Sequence, residues 1–224
     1  MAKKLTKADL NSQIFLSDGN KKLRGDDTNA FLVWNIPAIS TCLWKTALCE
    51  LACYARKAEV QYPDVLPCRE RNLDESKKES FVADMIKTIS WNVTSRKNTQ
   101  DKQIWFRIHE SGDFYSLAYL EKWIDIARQF PNIHFLAYTK AVELIKLAGK
   151  MPKNLVIRYS VWSDTAPEQL EIATSLKLPI FTAFQPEILD QKVKADHYTK
   201  CLCDCQKCKK CYSKKLPKLA VAIH

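Results

Sequence analysis

The middle of the chain alternates between short apolar runs and amphipathic stretches. Four runs have the length and the aromatic and branched residues of buried strands: 104–109, 133–139, 155–162 and 179–184. Three stretches between them have apolar residues at helical spacing: 116–129, about 141–149 and about 165–176. The strand starts are 22 to 29 residues apart. Because that is the repeat length of βα units, the pattern predicts a parallel sheet.

Further elements are expected on both sides of this repeat. Apolar runs at 31–35 and 218–223 predict one strand upstream and one at the far end. Helices are expected at roughly 46–60, where three cysteines cluster nearby, and from about 74 to 96. With about six strands, the sequence predicts an α/β fold with a partial (βα)6 TIM-like barrel.

No interdomain linker interrupts the chain, so we interpret residues 1–224 as a single domain. The barrel core is expected at about 31–185, and 217–224 holds the last strand. Between them, 186–216 is a cysteine-rich, cluster-binding segment with little apolar periodicity. We expect a metal to order this C-terminal tail, because it has too few apolar residues for a core of its own.

Composition excludes several classes of protein. The chain has 224 residues, of which 46% are hydrophobic and only four are glycine, so collagen-like and largely disordered chains are excluded. No run of about 18 apolar residues is present, and the basic start lacks the apolar segment of a secretory signal. The expectation is a cytoplasmic protein with no membrane partner.

The positive charge is concentrated near the C-terminus. Lysine and arginine exceed aspartate and glutamate by ten, and nine lysines against two acidic residues lie between Lys192 and Lys218. A basic tail indicates nucleic acid as a candidate partner. Metal-bound thiolates in the same segment would offset part of that charge, which weakens the indication.

The nine cysteines fall into two groups. Cys42, Cys49 and Cys53, with Cys68 further on, precede a long cysteine-free stretch, and five more lie at 201–211. An odd number in a chain without a secretory signal argues against a disulfide framework. Clustered thiols in a reducing compartment indicate a metal ion or an iron–sulfur cluster.

Cys42, Cys49 and Cys53 follow the first predicted strand, where parallel α/β folds place their chemistry. Cys49 and Cys53 are four residues apart and would share one face of the predicted helix. Three thiolates leave one coordination position free for substrate or cofactor, unless Cys68 supplies a fourth ligand. Three thiolates without a nearby histidine are unusual for catalytic zinc.

The tail cysteines have the tight spacing of cluster ligands. We assign a [4Fe–4S] cluster to four of them, Cys201, Cys205, Cys208 and Cys211, with Cys203 as a spare or alternative ligand. Zinc is the alternative, although structural zinc prefers two C-x2-C pairs separated by a longer segment.

A Ser-Gly-Asp turn follows the strand at 104–109. His109 is a candidate ligand or base, and Ser111, Gly112 and Asp113 could bind a ligand where a helix begins. Equally, Asp113 or Ser116 could only cap that helix. Polar residues end the later strands too, and we expect them at one mouth of the barrel: Tyr138, Thr139, Lys140, Arg158, Ser160 and Gln185.

Together these features resemble the radical S-adenosylmethionine superfamily. Its members have a partial barrel, a three-cysteine cluster loop after the first strand and a Gly-Gly-Glu-type turn after the second. The resemblance implies a cluster on Cys42, Cys49 and Cys53, with Ser111-Gly112-Asp113 and Tyr138 near bound S-adenosylmethionine. The spacing differs, since this loop is C-x6-C-x3-C rather than C-x3-C-x2-C, and the turn keeps one glycine and a shorter acid.

A second resemblance is to a family named for a mycobacteriophage gene product, gene product eighty-eight, found in phages and mobile elements. Three segments carry it: Asn35–Arg56, Arg107–Phe114 and Ala137–Lys140, followed by the cysteine-rich tail. This resemblance implies a phage or mobile-element origin, hence the host cytoplasm, and supports the cluster assignment. It implies no reaction.

Three functional hypotheses follow. The first is an iron–sulfur protein with a radical-SAM-like barrel, two [4Fe–4S] clusters and one open site in the barrel mouth for S-adenosylmethionine or substrate; His109, Ser111 and Asp113 are its candidate catalytic residues. The second is a non-catalytic iron–sulfur protein, acting as a redox sensor, electron carrier or host-interaction factor. The third is a zinc-stabilised protein whose basic tail binds nucleic acid. An electron donor or a small molecule is the expected partner in the first.

Overall fold

The computed structural model describes residues 6, 7, 10, 12–20 and 22–223. Residues 1–5, 8, 9 and 11 lie outside the described residues; they belong to the basic start in which we found no secretory signal. The described part is a mixed α/β fold built on one parallel sheet that curls into a half-barrel. Within it, no helix has the length and apolar character needed to cross a membrane.

The sheet has seven strands, and each pairs in parallel with its neighbours. The strands are β1 (Asn29–Trp34), β2 (Gln103–Ile108), β3 (His134–Thr139), β4 (Leu155–Val161), β5 (Ile180–Phe184), β6 (Thr199–Lys200) and β7 (Lys218–Ala222). Their order across the sheet is β1-β2-β3-β4-β5-β7-β6. Strands are therefore confirmed at all six predicted positions and in parallel arrangement. The short strand β6, inside the tail, was not predicted, so the count of six was too low.

The helices agree with the predicted pattern in position but not always in length. In the described residues they are α1 (Ala47–Leu51), α2 (Tyr54–Gln61), α3 (Val65–Lys77), α4 (Phe81–Thr94), α5 (Leu117–Gln129), α6 (Val142–Leu147), α7 (Pro167–Ser175), α8 (Pro186–Ala195) and α9 (Cys205–Cys208). The predicted long helix at 74–96 is wrong, because α3 ends at Lys77 and α4 starts at Phe81.

The predicted helix at 46–60 is also wrong, and this changes the cysteine geometry. Thr46 caps α1 by accepting a hydrogen bond from the Cys49 amide at 3.3 Å. Cys53 caps α2, since its Sγ accepts from the Arg56 amide at 3.5 Å. An N-cap residue has non-helical backbone angles. Cys49 and Cys53 therefore do not share one helix face; a break separates them.

The outer face of the sheet carries the main apolar core. Side chains from β1 to β4 pack there against α4, α5 and α6, and the largest are fully buried. Trp34, Phe81 and Trp123 have ring centroids 5.4 to 6.0 Å apart. Aromatic side chains of this size bury more apolar surface than any others, so this face holds the strands in place.

The inner face of the sheet is different, because Arg107 of β2 and Arg158 of β4 interrupt its apolar surface. Phe31, Val33, Leu136 and Val156 form a small cluster there with Tyr212 of the tail, and the clustered side chains are buried. The tail therefore lies against the inner face of the half-barrel.

Arg158, fully buried on β4, fixes the tail in that position. Its guanidinium donates to four backbone carbonyls of the tail: Cys211 at 2.7 Å, Leu216 at 3.0 Å, Ser213 at 2.6 Å and Lys210 at 3.4 Å. Protein contacts thus account for the path of the tail. Ordering of this segment by a metal stays a prediction.

Candidate metal centres

The first cysteine group, Cys42, Cys49 and Cys53, lies beyond the carboxyl end of β1. Cys42 is in the loop after the strand, Cys49 is on α1 and Cys53 precedes α2. Burial raises the pKa of the Cys42 thiol to about 12, with further contributions from Asp113 and from the other two cysteines. Burial also raises the pKa of Cys49. At neutral pH these two thiols are protonated, and a bound metal would displace their protons.

The Ser-Gly-Asp turn after β2 braces the loop that carries Cys42. The side-chain oxygen of Asn35 accepts from the amides of Glu110 and Ser111, both at 2.9 Å. The Ser111 hydroxyl donates to the Ile36 carbonyl at 2.9 Å. The turn and the loop are thus joined by side-chain and backbone hydrogen bonds at several points.

Gly112 allows the same two segments to pack closely. Its φ of +87° lies in the left-handed region. A Cβ at this position would lie 2.8 Å from Oγ1 of Thr41 and closer still to Cγ1 of Ile36. The close approach that glycine permits here is therefore that of Ile36 and Thr41, one residue before Cys42.

Asp113 joins the ends of β2 and β3. Its carboxylate accepts from the Thr139 hydroxyl at 2.6 Å, the Lys140 amide at 2.9 Å and the Phe114 amide at 2.7 Å. Burial raises the pKa of this carboxyl, and the hydrogen bonds from Lys140, Thr139 and Phe114 oppose the rise. Both carboxylate oxygens are therefore engaged within the fold.

Lys140 places a buried ammonium group beside the first cysteine group. Its Nζ donates to the carbonyl and the hydroxyl oxygen of Ser160, each at 3.0 Å, and lies 5.5 Å from the ring centre of Trp162. Desolvation lowers the pKa of Lys140, while the neighbouring Cys49 and Asp113 favour its charged form. A cation at this position would stabilise thiolates held by a metal.

Cys68 lies apart from the first group. It sits on α3, half-buried, and the charges that act on its thiol are those of Arg71 and Arg69. The first group therefore consists of three thiols.

The five tail cysteines line one cavity on the inner face of the sheet. The lining also includes Arg107 of β2, Tyr138 of β3 and Tyr212 of the tail. The cavity has a volume of about 20 Å³, enough for one water-sized atom. Left-handed backbone at Cys203 (φ 53°) and Lys209 (φ 48°) turns the chain back on itself around α9 and so gathers these cysteines.

Burial also controls the ionisation of three of the tail thiols. It raises the pKa of Cys201 to about 12 and that of Cys205 to about 11. Burial also raises the pKa of Cys211, against a hydrogen bond from the Tyr138 hydroxyl and the charges of Arg158 and Arg107. As in the first group, metal binding would require loss of these protons.

Arg107 lies between the two cysteine groups. Its guanidinium carbon is 3.9 Å from the ring centre of Tyr138, and its Nε donates to the His109 carbonyl at 3.1 Å. It acts electrostatically on Tyr54, next to Cys53, and on Cys205 of the tail. One guanidinium therefore acts on a tail cysteine and on the residue that follows Cys53.

The side chains as they stand are not arranged as metal ligands. Across the described residues, no three histidine, cysteine, aspartate or glutamate side chains are positioned to hold one metal ion. The fold gathers the ligand set Cys42, Cys49 and Cys53 and the tail set, but their side chains would have to rearrange to bind one metal centre. Both assignments stay predictions.

Comparison with known proteins identifies the family. A model of the Gene product 88 family matches residues 14–214, which is most of the chain. The chain belongs to the Gene product 88 family. It is similar to the "Gene 88 protein" of Mycobacterium phage D29 and to that of Mycobacterium phage L5, with 28% identity over 141 residues in both cases.

Each of these alignments covers 61% of this chain and 57% of the relative, so the chain spans little more than half the length of the curated relatives that it matches. No solved structure matches the chain.

In this member of the Gene product 88 family, His109 is part of the outer core rather than of the cysteine groups. Its Nε2 is hydrogen-bonded to the Tyr119 hydroxyl at 2.8 Å, and its ring packs edge-on against Phe114. Burial and the charge of Arg107 lower the pKa of His109 to about 3, which keeps the ring neutral. Ser111, Gly112 and Asp113 brace the Cys42 loop, and Tyr138 lies in the tail cavity. Catalytic or cofactor-binding roles for these residues stay predictions.

Sequence reasoning gave too little weight to four side chains: Arg107, Lys140, Arg158 and Tyr212. A usable signal was present for the two arginines, since each is a charged residue inside an apolar strand and must find partners when buried. For Tyr212 and Lys140 no such signal exists, because their partners come from segments distant in sequence.

Proposed function

We propose that the protein is an iron–sulfur protein, with a [4Fe–4S] cluster on Cys42, Cys49 and Cys53 and a second cluster in the tail, on Cys201, Cys205, Cys208 and Cys211. The observation that carries this proposal is the placement of three thiols beyond the carboxyl end of β1 and of five around one cavity on the inner face of the same half-barrel. Cysteine thiolates are the ligands that such clusters take, and nearby cations compensate their negative charge.

The first group is suited to an open centre. The thiols of Cys42, Cys49 and Cys53 are close enough to interact electrostatically, and Cys68 lies apart from them. Cys53 also lines an open, largely apolar groove of about 650 Å³ along α1 and α2. A cluster bound there would supply one-electron chemistry at an iron that the protein does not ligate. Lys140 would stabilise the negative charge of the thiolates, and the Ser111–Asp113 turn would hold the loop that carries Cys42 in place. The radical-SAM resemblance implies S-adenosylmethionine as the ligand of that iron.

The size of the tail cavity favours a second candidate for that group. About 20 Å³ accommodates one ion, whereas a four-iron cluster requires the tail to move outward. Zinc in the tail, beside exposed lysines such as Lys207, corresponds to the hypothesis of a nucleic-acid-binding protein.

Iron, acid-labile sulfide and zinc per chain, measured on protein purified without oxygen, test the proposal. We expect about eight irons with equal sulfide. Cys49→Ser and Cys208→Ser should each remove about half of the iron, while the matched control Cys68→Ser should remove none. Zinc without sulfide, persisting after cluster reconstitution, would contradict the proposal. In that case nucleic-acid affinity should fall steeply with salt and depend on the tail lysines.

Electron paramagnetic resonance of the reduced protein then separates the two iron–sulfur hypotheses. A change in the first cluster's spectrum on adding S-adenosylmethionine, absent in Cys49→Ser, supports an open iron that binds this ligand. An unchanged spectrum, with no cleavage of S-adenosylmethionine under strong reductant, supports a redox, sensor or host-interaction role.

A further inference from the structure

The Tyr212 hydroxyl is a buried donor without an acceptor. Tyr212 is only 8% exposed and lines the tail cavity, and its hydroxyl has no hydrogen-bond partner among the described residues. Buried hydroxyls are almost always hydrogen-bonded, and leaving one unpaired destabilises the fold. An acceptor is therefore expected in the cavity beside this hydroxyl.

Arg107 contributes further unpaired donors to the same cavity. Within the described part of the chain, its side chain donates one hydrogen bond, from Nε to the His109 carbonyl. The two terminal nitrogens make none there; the residue is half-buried, its guanidinium lies against the Tyr138 ring, and these nitrogens are not fully buried. Two donor groups from different segments thus line one small cavity.

Among the acceptors that line this cavity, the Asp204 carboxylate already caps α9, which leaves the cysteine sulfurs next to Tyr212. Cys205 and Cys211 pack against the apolar cluster that contains Tyr212, and once deprotonated they would act electrostatically on its hydroxyl. A protonated thiol accepts hydrogen bonds weakly, but a metal-bound thiolate or a sulfide accepts them well.

We infer that Tyr212 and Arg107 are positioning residues of the tail metal centre, donating hydrogen bonds to its sulfur atoms near Cys205 and Cys211. The inference rests on the proposed metal centre of the tail and adds the role of these two side chains. Hydrogen bonds to cluster sulfurs stabilise the more negative, reduced state, so these donors raise the reduction potential of the tail centre.

Tyr212→Phe in the anaerobically purified full chain tests this inference, since it removes the hydroxyl and keeps the ring. We expect unchanged iron and sulfide, a lower reduction potential for the tail centre and an unchanged potential for the first centre, both measured by redox titration with electron paramagnetic resonance. Arg107→Lys, which keeps the charge but loses the planar donor fork, should also lower the potential of the tail centre. Tyr115→Phe is the matched control, because its hydroxyl bonds Ser76 at 2.8 Å on the outer face.

The outcomes separate this inference from the proposed function. Full metal content with identical potentials in wild type, Tyr212→Phe and Arg107→Lys would overturn the inference and leave the metal centre standing. A tail without metal would overturn both, because no sulfur acceptor would exist. If the tail holds zinc, cobalt substitution replaces the redox titration: the sulfur-to-cobalt charge-transfer band should move to longer wavelength in Tyr212→Phe and stay unchanged in Tyr115→Phe.

Discussion

The two cysteine groups are built on opposite principles. The first group lies on a loop and two short helices, and the turn that contains Gly112 packs against that loop. The tail group lies against the sheet itself, and the Arg158 side chain of the sheet holds it there by donating hydrogen bonds to tail carbonyls. Close packing at Gly112 and neutral hydrogen bonds of Asn35 and Ser111 therefore support the first group, whereas a buried side-chain cation supports the second.

Their charged neighbours differ in the same way. Lys140, beside the first group, is an amine whose pKa falls on burial, whereas Arg107 and Arg158, beside the tail, remain charged under all conditions that a protein experiences. The first group also borders an open groove, while the tail cavity is small. If both groups bind metal as proposed, the difference favours an exchangeable centre in the first group and a permanent one in the tail. Most of the following variants are chosen to disturb one group without the other.

Arg158→Met should have the largest effect. It leaves four tail carbonyls without their donor, at a cost of about 3 kcal/mol or more in the free energy of unfolding. Alkylation followed by mass spectrometry should show the tail cysteines becoming reactive while the first group stays protected. Arg128→Met, which removes an exposed guanidinium bonded to Asp125, is the control. Equal exposure of both groups would mean that the tail is not held independently.

Gly112→Ala should produce the reciprocal result. A Cβ at this left-handed position meets Ile36 and Thr41, so we expect a loss of about 1–3 kcal/mol, together with faster alkylation of Cys42. The tail cysteines should keep their reactivity. Gly149→Ala is the matched control, because no atom lies within 4 Å of a Cβ there, and it should leave stability nearly unchanged.

The sequence predicted the strands of this fold better than the contacts that hold the two cysteine groups. The strands were predictable, because runs such as 104–109 and 155–162 are apolar on both faces of a buried parallel sheet. The break in the helix at Cys53 was not predictable, because cysteine is not a usual helix cap. The four-residue spacing of Cys49 and Cys53 indicated one continuous helix instead. The partners of Arg158 were equally hidden, since they lie 52 to 58 residues further along the chain and contribute only carbonyl oxygens.

Acid should weaken the outer core through His109. Its folded-state pKa of about 3 lies below the ordinary value of 6.5, so the unfolded chain binds more protons in between. The contribution of neutral His109 to the free energy of unfolding is complete above pH 6.5. It is lost as pH falls towards 3, by about 1.4 kcal/mol per pH unit. Urea unfolding at pH 7.5, 6 and 5 should show a steeper loss for wild type than for His109→Gln. Parallel curves for the two proteins would contradict this assignment.

Lys140→Gln should have the smallest effect, confined to the first group. The ammonium acts on Cys49 and Cys42, so its removal disfavours the reduced, more negative state of a cluster there. We expect the potential of the first centre to fall on the order of tens of millivolts, with the tail centre unchanged. Lys146→Gln, an exposed position on α6, controls for loss of charge alone.

Together with Tyr212→Phe, this variant forms a crossed pair, because each should shift the potential of only one centre. A shift of both centres by Lys140→Gln would mean that the two groups share one electrostatic environment through Arg107. The distinction between an exchangeable and a permanent site would then have to rest on the number of thiols and on access from solvent, rather than on the neighbouring charges.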